Sequence, residues 1–292
     1  MTAGPKRAVF AGCARNCATH LPAVLRNIER MSALFGDVGV VIVENDSTDA
    51  TRQVLETWGT GRRNFHLVKL DGLASAVAQR TVRLELARNL YADFVRTSDT
   101  LSAFDYLIVL DCDEVNVREA DLRAVARALE FLEREETNAA VFANNTGLYH
   151  DVWALRHDRL CPGDAWEEVM DYALKHHVPD DIAFKETFEK RLIAFDPAAG
   201  AIEVESAFDG LGIYKMGFVR RNVNPYLGYK VRAMTRDGRI GIVRLQTCEH
   251  VHFNRGIRAL GGRLFILPYL VTFNAVAGKI PVPVSAWRSM LF

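Results

Sequence analysis

The chain has 292 residues, 49% of them hydrophobic, and its 36 basic residues balance 36 acidic residues to a formal net charge of zero. This length and apolar content are sufficient for a large buried core, which excludes a disordered chain. A chain without net positive charge also lacks the field with which nucleic-acid-binding proteins neutralise phosphates, so we expect no nucleic acid partner.

The number of cysteines and the hydropathy of the chain indicate the cellular compartment in which we expect the protein. The five cysteines are odd in number and form no C-x-x-C pair, so we predict neither a disulfide framework nor a structural zinc site, and we expect a cytoplasmic protein. The most apolar late segment, residues 264–277, is too short for a transmembrane helix and contains Pro268 and Asn274. We therefore expect no transmembrane span, while peripheral association with the inner face of a membrane stays open.

Strands alternate with helices in the first half of the sequence. Apolar, β-branched runs predict strands at residues 7–14, 40–44, 65–70 and 107–111. Helical spacing of apolar residues predicts four intervening helices, with Ser47 or Thr48 as the cap of the second. Asn116 and Glu119 have the spacing of a capping box and predict the start of the fourth helix. Such alternation predicts an α/β fold with a Rossmann-like, mostly parallel central sheet flanked by helices.

Residues 136–292 have a mixed pattern. Strand-like runs occur at 139–148, 204–219 and 240–248, whereas 166–191 is charged without clean periodicity and is expected to be a solvated excursion. We expect one continuous domain in which residues 1–135 bind a nucleotide. Residues 136–292 are then expected to bind the second substrate and to complete a metal site.

Acidic residues follow two of the predicted strands. The run Leu107–Leu110 is followed directly by Asp111, Cys112 and Asp113. The carboxyl ends of parallel strands form the edge at which open α/β sheets bind ligands. Carboxylates two residues apart in extended backbone face the same side and can share Mg²⁺ or Mn²⁺, which would neutralise a diphosphate. The alternative for such a pair is a solvated turn.

Glu44 ends the second strand, and Asn45, Asp46, Ser47 and Thr48 follow it. A carboxylate in this position can accept hydrogen bonds from the N–H groups of a nucleobase. The residues after it can bind a ribose or simply cap the next helix.

These motifs resemble those of the GT-A glycosyltransferases, in which a second strand often ends in a D-D-G-S-x-D-x-T type sequence and a later D-x-D binds a metal and a sugar nucleotide. The finer pattern, from Ala11–Asn16 through Ala87–Asn89 to Asp111–Glu114, is similar to the capsule-associated mannosyltransferase group of fungi and its bacterial relatives. The resemblance covers about the first 150 residues. Asp46 stands where the family usually has Gly, and because Asp tolerates left-handed backbone we expect the turn to survive.

The resemblance implies a GT-A fold, and it implies contacts with the sugar nucleotide for residues at the strand ends and on the longest helix. In this group Glu44 would face the base. The implied contacts are Ala14, Arg15, Asn16, Glu44, Asp46, Arg88, Asn89, Asp111 and Cys112.

Two histidines late in the sequence are candidate metal ligands. Sugar-nucleotide transferases with a D-x-D often complete the metal shell with a later His, and a neutral imidazole suits that task. His250 and His252 share a face if the preceding strand continues, so both join Asp111 and Asp113 as candidates, with His250 preferred. A structural hydrogen bond is the alternative for either.

Two further clusters point to the acceptor. Asp209 or Glu205 could deprotonate an acceptor hydroxyl in an inverting transfer or stabilise an oxocarbenium-like centre in a retaining one, although Asp209 also fits an ordinary Asp-Gly turn. Asp151, Trp153 and Arg156 combine an aromatic face with groups that bind hydroxyls, which is typical of a saccharide site; Trp153 could instead belong to the core.

Together the motifs predict a metal-dependent glycosyltransferase in polysaccharide synthesis. It would move a sugar from a GDP-mannose-like donor or a UDP-sugar to a hydroxyl of a glycan or lipid-linked saccharide. A second interpretation is a haloacid-dehalogenase-type phosphatase, because Asp111–Val115 also resembles the D-x-D-x-[TV] opening of that family, with Asp111 as nucleophile. A third is a non-catalytic sugar-binding protein on a degenerate transferase fold.

Overall fold

The computed structural model describes residues 4–274 except Asp237. Its ten strands are β1 (Arg7–Ala14), β2 (Asp37–Asn45), β3 (Phe65–Leu70), β4 (Tyr106–Leu110), β5 (Asn138–Thr146), β6 (Ile202–Val204), β7 (Leu211–Lys215), β8 (Tyr229–Arg236), β9 (Arg239–Gln246) and β10 (Arg263–Asn274). Eight of them form one sheet in the order β3-β2-β1-β4-β7-β5-β10-β6, and β8 and β9 form a separate antiparallel hairpin.

The central sheet is mostly parallel, which confirms the predicted fold class. β1 pairs in parallel with β2 and β4, β2 with β3, and β5 with β10, while β7 and β6 run against their neighbours. Strands from both halves of the chain contribute to this one sheet. The α-helices of the described residues are α1 (Leu21–Ser32), α2 (Thr51–Gly59), α3 (Leu73–Ala76), α4 (Arg80–Thr97), α5 (Leu122–Arg134), α6 (Ala165–His176), α7 (Asp180–Glu186), α8 (Met216–Arg221) and α9 (Glu249–Ala259).

Both faces of the sheet are buried against helices. Successive residues of β1 alternate between two hydrophobic clusters: Val9 and Ala11 pack with α4 residues, and Ala8 and Phe10 pack with α1 residues. Because side chains alternate along a strand, a strand covered on both faces must be apolar throughout, which explains the unbroken apolar runs of the sequence. No helix in the described part of the chain has the length and apolarity to cross a bilayer.

The helix starts differ from two of the predictions. Asn116 does not cap α5; Asp121 does, by accepting hydrogen bonds from the two backbone N–H groups of Arg123 and Ala124. The Asn116 amide instead donates to the carbonyl oxygens of Asp111 (2.9 Å) and Gly210 (2.8 Å), which ties the turn after β4 to the turn before β7.

The second helix also lacks the predicted Ser47 or Thr48 cap. In its place the Asp49 carboxylate accepts a 2.9 Å hydrogen bond from the backbone N–H of Thr51 at the start of α2. The Ser47 hydroxyl accepts from the N–H of Asn16 and so links the loop after β2 to the loop after β1.

The prediction of a solvated excursion at residues 166–191 is wrong. The segment forms α6, α7 and a short 3₁₀ turn, and it buries Trp166, Phe184 and Phe188, with the last two rings stacked at 5.0 Å. Its charges lie on the outer surfaces of these short amphipathic helices, so the charge density of the sequence concealed a buried aromatic side.

The strand order places a topological switch point between β1 and β4. From β1 the chain proceeds to β2 and β3 on one side of the sheet and then returns to add β4 on the other side. The loops that leave the carboxyl ends of β1 and β4 therefore diverge and open a crevice between them.

Candidate active site

A cleft of about 590 Å³ occupies this crevice. It is bounded by the loops after β1, β4 and β5, by one side of α4, by the start of α6 and by the start of α9. Its lining residues are Cys13, Ala14, Arg15, Asn16, Cys17, Asn45, Arg80, Arg83, Leu84, Arg88, Asp111, Cys112, Asp113, Val115, His150, Asp151, Trp153, Trp166, Phe188, Phe208, Cys248, Glu249 and His250.

The two aspartates after β4 both face this cleft. Asp113 accepts a 3.1 Å hydrogen bond from the backbone N–H of Val115, which orients its carboxylate. Solvent reaches the carboxylate, but the cleft walls enclose it, and this desolvation together with the charge of Asp111 raises the pKa of Asp113 to about 6. Desolvation is the larger cause of the raised pKa, and the repulsion from Asp111 that adds to it is what a bound cation would relieve.

Arg88 fixes the position of Asp111. The Arg88 guanidinium is buried on α4, where Nη2 lies 3.0 Å from Asp111 Oδ1 and Nε lies 2.8 Å from Glu249 Oε1. Its Cζ also lies 5.1 Å from the centre of the Phe208 ring. Because Arg88 is already bound to two carboxylates, it orients Asp111 and the start of α9. Its side chain also lines the cleft, so the implied contact with the sugar nucleotide stays a prediction.

Replacing Arg88 with Met should lower the free energy of unfolding by about 3–5 kcal/mol, because the buried Glu249 carboxylate would lose its partner. Urea denaturation at neutral pH measures this loss. Arg30→Met is the matched control: it breaks an exposed pair with Glu119, and we expect a loss below about 1 kcal/mol. Equal losses in the two variants would contradict the assignment of Arg88 as the buried link.

His250 lies in the wall of the cleft with no hydrogen bond to either ring nitrogen among the described residues. Its ring stacks on Phe208 with the centroids 3.9 Å apart, and only 2% of the side chain is exposed. Burial first, and then the charge of Arg88, lower the pKa of His250 well below its ordinary value. The ring is therefore neutral, and its two buried nitrogens have no hydrogen-bond partner among the described residues.

The second predicted histidine points elsewhere. His250 and His252 lie in the first turns of α9, and the strand before them has already ended at Gln246. Residues two apart on a helix project in nearly opposite directions. His252 Nδ1 accordingly lies 2.8 Å from the carbonyl oxygen of Pro225, outside the cleft, so His252 is not placed to share a metal with His250.

The cleft residues fit a hard divalent cation that shares its coordination with a ligand. Among the described residues no three His, Cys, Asp or Glu side chains converge into a closed metal cage. Mg²⁺ in nucleotide sites is commonly held by one or two carboxylates, with phosphate oxygens and waters in the remaining positions. Asp111 and Asp113 supply such a carboxylate pair, and His250, whose ring nitrogens are buried, lies in the wall of the same cleft.

Three further arginines line the cleft without an acidic partner among the described residues: Arg15, Arg80 and Arg83. Arg83 Nη1 donates to the carbonyl oxygens of Val77 (2.8 Å) and Ala78 (2.6 Å), so the side chain is held in place. Burial, followed by the charges of Arg15 and Arg80, lowers the pKa of Arg83. Arg15 and Arg80 both repel Arg83, and the three guanidiniums form an electrostatic site for a multiply charged anion next to Asp111 and Asp113.

A second titratable cluster lies across the cleft, after β5. His150 Nδ1 lies 2.5 Å from Asp209 Oδ1, and Asp151 Oδ2 accepts a 3.2 Å hydrogen bond from the backbone N–H of Asp209. Burial acts to lower the pKa of His150, but the charge of Asp209 and its hydrogen bond outweigh burial and raise this pKa to about 9. Burial raises the pKa of Asp151 to about 6, against the opposing charge of His150.

Neither of the two catalytic candidates predicted from the sequence lines the cleft. Asp209 is fully buried behind His150 and does not line the cleft, whereas Asp151 does. Asp209 also has a backbone φ of 56°, followed by Gly210 at 81°, so the predicted Asp-Gly turn is present. The second candidate, Glu205, is half-exposed, bonded to Arg258 at 2.7 Å and outside the cleft.

The loop after β2 holds Glu44 away from the cleft. Glu44 is fully buried, its Oε2 lies 2.6 Å from Arg52 Nε, and its Oε1 accepts a 2.8 Å hydrogen bond from the N–H of Ser47. Both carboxylate oxygens are thus occupied, and the predicted contact with a nucleobase is not supported. The adjacent Asn45 lines the cleft instead.

Asp46 adopts the left-handed backbone that its position was expected to need, with a φ of 49°. Its carboxylate accepts hydrogen bonds from the N–H groups of Gly72 (2.6 Å) and Ala74 (2.7 Å), and these bonds lower its pKa. Asp46 therefore joins the loop after β2 to the loop after β3 and does not line the main cleft.

Two other predicted contacts also have structural partners. Asn89 projects from α4 beside the buried Arg88, and its amide makes hydrogen bonds of 2.9 and 2.8 Å with the backbone of Tyr226. Arg156 is buried against Asp164, with Nη2 3.0 Å from Oδ2. Of the predicted acceptor residues, Asp151 and Trp153 line the cleft and Arg156 does not.

The sequence interpretation missed several cleft residues. Arg80 and Arg83 are spaced three apart at the start of α4 and were visible as a basic side of that helix. His150 stood beside the predicted Asp151. Phe208 and Glu249 carried no local signal, because their cleft positions depend on contacts with Arg88, which is 161 residues away from Glu249 in the sequence.

No family model matches the sequence, and no curated protein matches it. Solved structures similar to the chain include a mannosyltransferase from Pyrobaculum calidifontis in complex with GDP-Man and Mn²⁺, at 16% identity and a TM-score of 0.49, covering 98% of this chain and 61% of that one. TarS (residues 1–349) of S. aureus in complex with UDP-GlcNAc has 12% identity and a TM-score of 0.48, covering 96% and 61%. Glucosyl-3-phosphoglycerate synthase from Mycobacterium tuberculosis in complex with Mg²⁺ and UDP has 13% identity and a TM-score of 0.46, covering 98% and 75%.

The chain therefore spans about three fifths of the length of the first two of these proteins. At such low identity the likeness concerns the fold, and we argue the function from the residues of the cleft.

Proposed function

We propose that the protein is a metal-dependent glycosyltransferase that moves a sugar from a nucleoside diphosphate donor to the hydroxyl of a saccharide acceptor. The observation that carries this proposal is the content of one cleft: a carboxylate pair, three arginines that form no ion pair within the described part of the chain, and a separate carboxylate of raised pKa. Cleavage of a bond between a sugar and a diphosphate requires groups that hold a cation, bind the diphosphate and accept a proton, and these residues are suited to those roles.

Asp111 and Asp113 would hold Mn²⁺ or Mg²⁺. His250 is a neutral imidazole in the wall of the same cleft, and it is the nitrogen ligand that we propose for this cation. When bound, the cation supplies positive charge that stabilises the departing diphosphate. Arg88 keeps Asp111 in place through its 3.0 Å ion pair, so the carboxylate is oriented before any ligand arrives.

Arg15, Arg80 and Arg83 would bind the diphosphate oxygens. Arg15 and Arg80 each repel Arg83, and a bound anion would offset that repulsion, so an anion with more than one charge gains most from binding there. Asn45 and the backbone of the segment Ala14–Asn16 are on the β1 side of the same cleft and would contact the nucleoside. In this arrangement, contacts of the base with the backbone and with the Asn45 amide would discriminate between guanine and uracil.

Asp151 is the proposed general base. The acceptor hydroxyl oxygen forms a bond to the anomeric carbon, the bond from that carbon to the diphosphate oxygen breaks, and Asp151 takes the hydroxyl proton. A carboxylate with a pKa of about 6 is ionised at neutral pH yet basic enough to assist, which is the compromise that general base catalysis favours. Asp209 and the protonated His150 orient Asp151, and this single displacement inverts the anomeric configuration.

The acceptor is expected to enter past the aromatic wall of the cleft. Trp153, Trp166, Phe188 and Phe208 all line it, and aromatic faces pack well on the C–H surfaces of sugars. We propose a glycan or lipid-linked saccharide in polysaccharide synthesis as the acceptor, with a GDP-mannose-like donor or a UDP-sugar.

The phosphatase alternative is disfavoured by the surroundings of Asp111. The ion pair with Arg88 engages only Oδ1 of Asp111, so the discrimination comes from the position of Asp111 in the fold and from Asp151. The strand before Asp111 is the fourth of the sheet, not the first. A carboxylate of raised pKa across the cleft, Asp151, has a clear role in transfer to a hydroxyl.

Calorimetric titration with UDP and with GDP, each with and without Mn²⁺, tests the proposal. We expect at least one of the two to bind, and the affinity to be at least about tenfold higher with Mn²⁺, which corresponds to 1.4 kcal/mol. Binding of neither nucleotide in the presence of metal would overturn the proposal.

A further inference from the structure

The β8–β9 hairpin has one face that no other described part of the chain covers. By the strand register this outer face carries Val231 and Ala233 on β8 and Ile240 and Ile242 on β9. The two isoleucines are each 77% exposed and Val231 is 64% exposed. Together they form an apolar patch on the order of a few hundred Å², a size that in soluble proteins marks an interaction site.

The inner face of the hairpin explains why the outer face stays exposed. Leu245 of β9 is fully buried in the core. Lys230 and Arg232 of β8 form ion pairs with Glu167 (2.5 Å) and Asp171 (2.8 Å) on α6. With one side thus anchored to the body of the protein, the alternation of a strand directs the β-branched residues outwards.

The hairpin is strongly basic in a chain of zero net charge. Residues 229–246 contain five Lys or Arg residues against one acidic residue, Asp237. Two of the five are used by α6, whereas Arg239 and Arg244 form no ion pair with any described residue. By the register Arg244 is on the outer face, where it stacks at 3.7 Å on the ring of Tyr229, and Arg239 is at the tip of the hairpin on the opposite side from Ile240. An apolar patch beside unpaired arginines is complementary to the interface of an anionic bilayer, where aliphatic side chains enter the acyl region and arginines contact headgroup phosphates.

The alternatives fit the same surface less well. A second copy of the chain would bring Arg244 near its own equivalent, because a twofold contact pairs a patch with itself. A protein partner usually docks through aromatic anchors in a well-packed pocket, whereas the most exposed residues of this patch, Val231, Ile240 and Ile242, are aliphatic.

The hairpin also lies at the rim of the cleft. At its base Gln246 Oε1 accepts a 2.9 Å hydrogen bond from Thr81 Oγ1, next to the cleft residue Arg80. Two residues after β9, Cys248 begins the stretch up to His250 that lines the cleft. A bilayer bound by the hairpin would therefore lie beside the cleft entrance.

We propose that the outer face of the β8–β9 hairpin docks the protein on an anionic lipid bilayer. The additional step, that the bilayer presents a lipid-linked acceptor to the cleft, rests on the proposed function. The docking itself does not, because it depends only on the patch and its arginines.

Sedimentation of the full chain with phosphatidylcholine vesicles, with and without phosphatidylglycerol, tests the docking. We expect binding to the anionic vesicles that weakens with salt. Ile240→Glu combined with Ile242→Glu should reduce that binding at least about tenfold. The matched control, Leu174→Glu with Ile182→Glu, changes two exposed aliphatic residues of α6 and α7 and should leave it unchanged.

A second variant separates charge from apolar contact. Arg239→Gln with Arg244→Gln keeps the isoleucines, and it should weaken binding and flatten its salt dependence. Absence of vesicle binding by the wild-type chain, or equal binding by the Ile240/Ile242 variant, would overturn the proposal. A concentration-dependent dimer that this variant abolishes would instead assign the face to a second copy.

Nucleotide titration of the Ile240/Ile242 variant distinguishes the two proposals. Unchanged nucleotide affinity with lost vesicle binding supports the docking surface. Vesicle binding by a wild-type chain that binds neither UDP nor GDP would leave the docking surface standing and remove the proposed function.

Discussion

Asp113→Asn is expected to lower kcat/KM for sugar transfer by about 10²–10³-fold, the scale on which removal of one preorganised electrostatic group acts. The variant keeps the size of the side chain but loses the charge that shares a cation with Asp111. It should also remove the Mn²⁺ dependence of nucleotide binding, because only one of the two carboxylates that hold the cation would remain. Steady-state rates at several Mn²⁺ concentrations, together with calorimetry, measure both effects.

The neighbouring Glu114→Gln is the matched control for Asp113→Asn. Glu114 is exposed, lies one residue further along the same turn and does not line the cleft. It removes the same charge without removing a proposed ligand, so we expect a rate within a few-fold of wild type. Equal losses in the two variants would show that the general negative potential matters and would contradict a specific metal role for Asp113.

Asp151→Asn is expected to lower kcat by about 10²–10⁴-fold while leaving donor binding intact, since the change removes the base and not the diphosphate site. In the wild-type enzyme the rate should fall below about pH 6 as Asp151 becomes protonated. Saturating Mn²⁺ keeps Asp113 ionised in this experiment, so the remaining acid limb reports Asp151. The variant should lack that limb, and a full acid limb in the variant would contradict the assignment.

The same substitution has an expected effect on stability. Because burial raises the folded-state pKa of Asp151 above its ordinary value, the folded state binds this proton more tightly than the unfolded state does. Wild-type stability from this group is therefore present at low pH and is lost as the pH rises through about 4 to 6. Urea unfolding of Asp151→Asn should show a smaller loss over that range, whereas a structural role for the ionised carboxylate predicts a larger one.

Much of the fold could be predicted because its signals are local. The bounds of β1 and β3 follow from apolar runs that end at polar loops, and Asp46 has the left-handed backbone expected from its replacement of a family Gly. The edge of the sheet that holds the cleft follows from the strand–helix alternation alone. Asp111 and Asp113 were found because the strand before them delivers them to that edge.

The structure departs from the sequence prediction where a local signal allows two chemical outcomes. An acidic residue at the end of a strand can bind a ligand or an adjacent arginine, and for Glu44 the partner is Arg52 on the first turn of α2. His250 and His252 alternate with apolar residues as in a strand, yet the segment is helical because Val251, Asn254 and Ile257 are buried on one side of α9.

Long-range contacts decided the remaining roles. Asp209 and Asp151 are 58 residues apart, and nothing in the sequence shows that one is sealed behind His150 while the other faces the cleft. The same holds for the pairing of Arg88 with Glu249. Residue type and spacing thus predicted which kinds of chemical group lie in the cleft better than they predicted the role of each residue there.

The most direct test of the proposed transfer is the bond that the protein breaks in its donor. GDP-mannose and a set of UDP-sugars would be incubated with the protein and Mn²⁺ in water enriched in oxygen-18, and the products analysed by mass spectrometry. We expect slow, metal-dependent release of the nucleoside diphosphate from at least one donor, with the label in the free sugar, because the bond between the anomeric carbon and the diphosphate oxygen is cleaved. Label in a released phosphate group, or no consumption of any donor by the folded protein, would contradict the proposal.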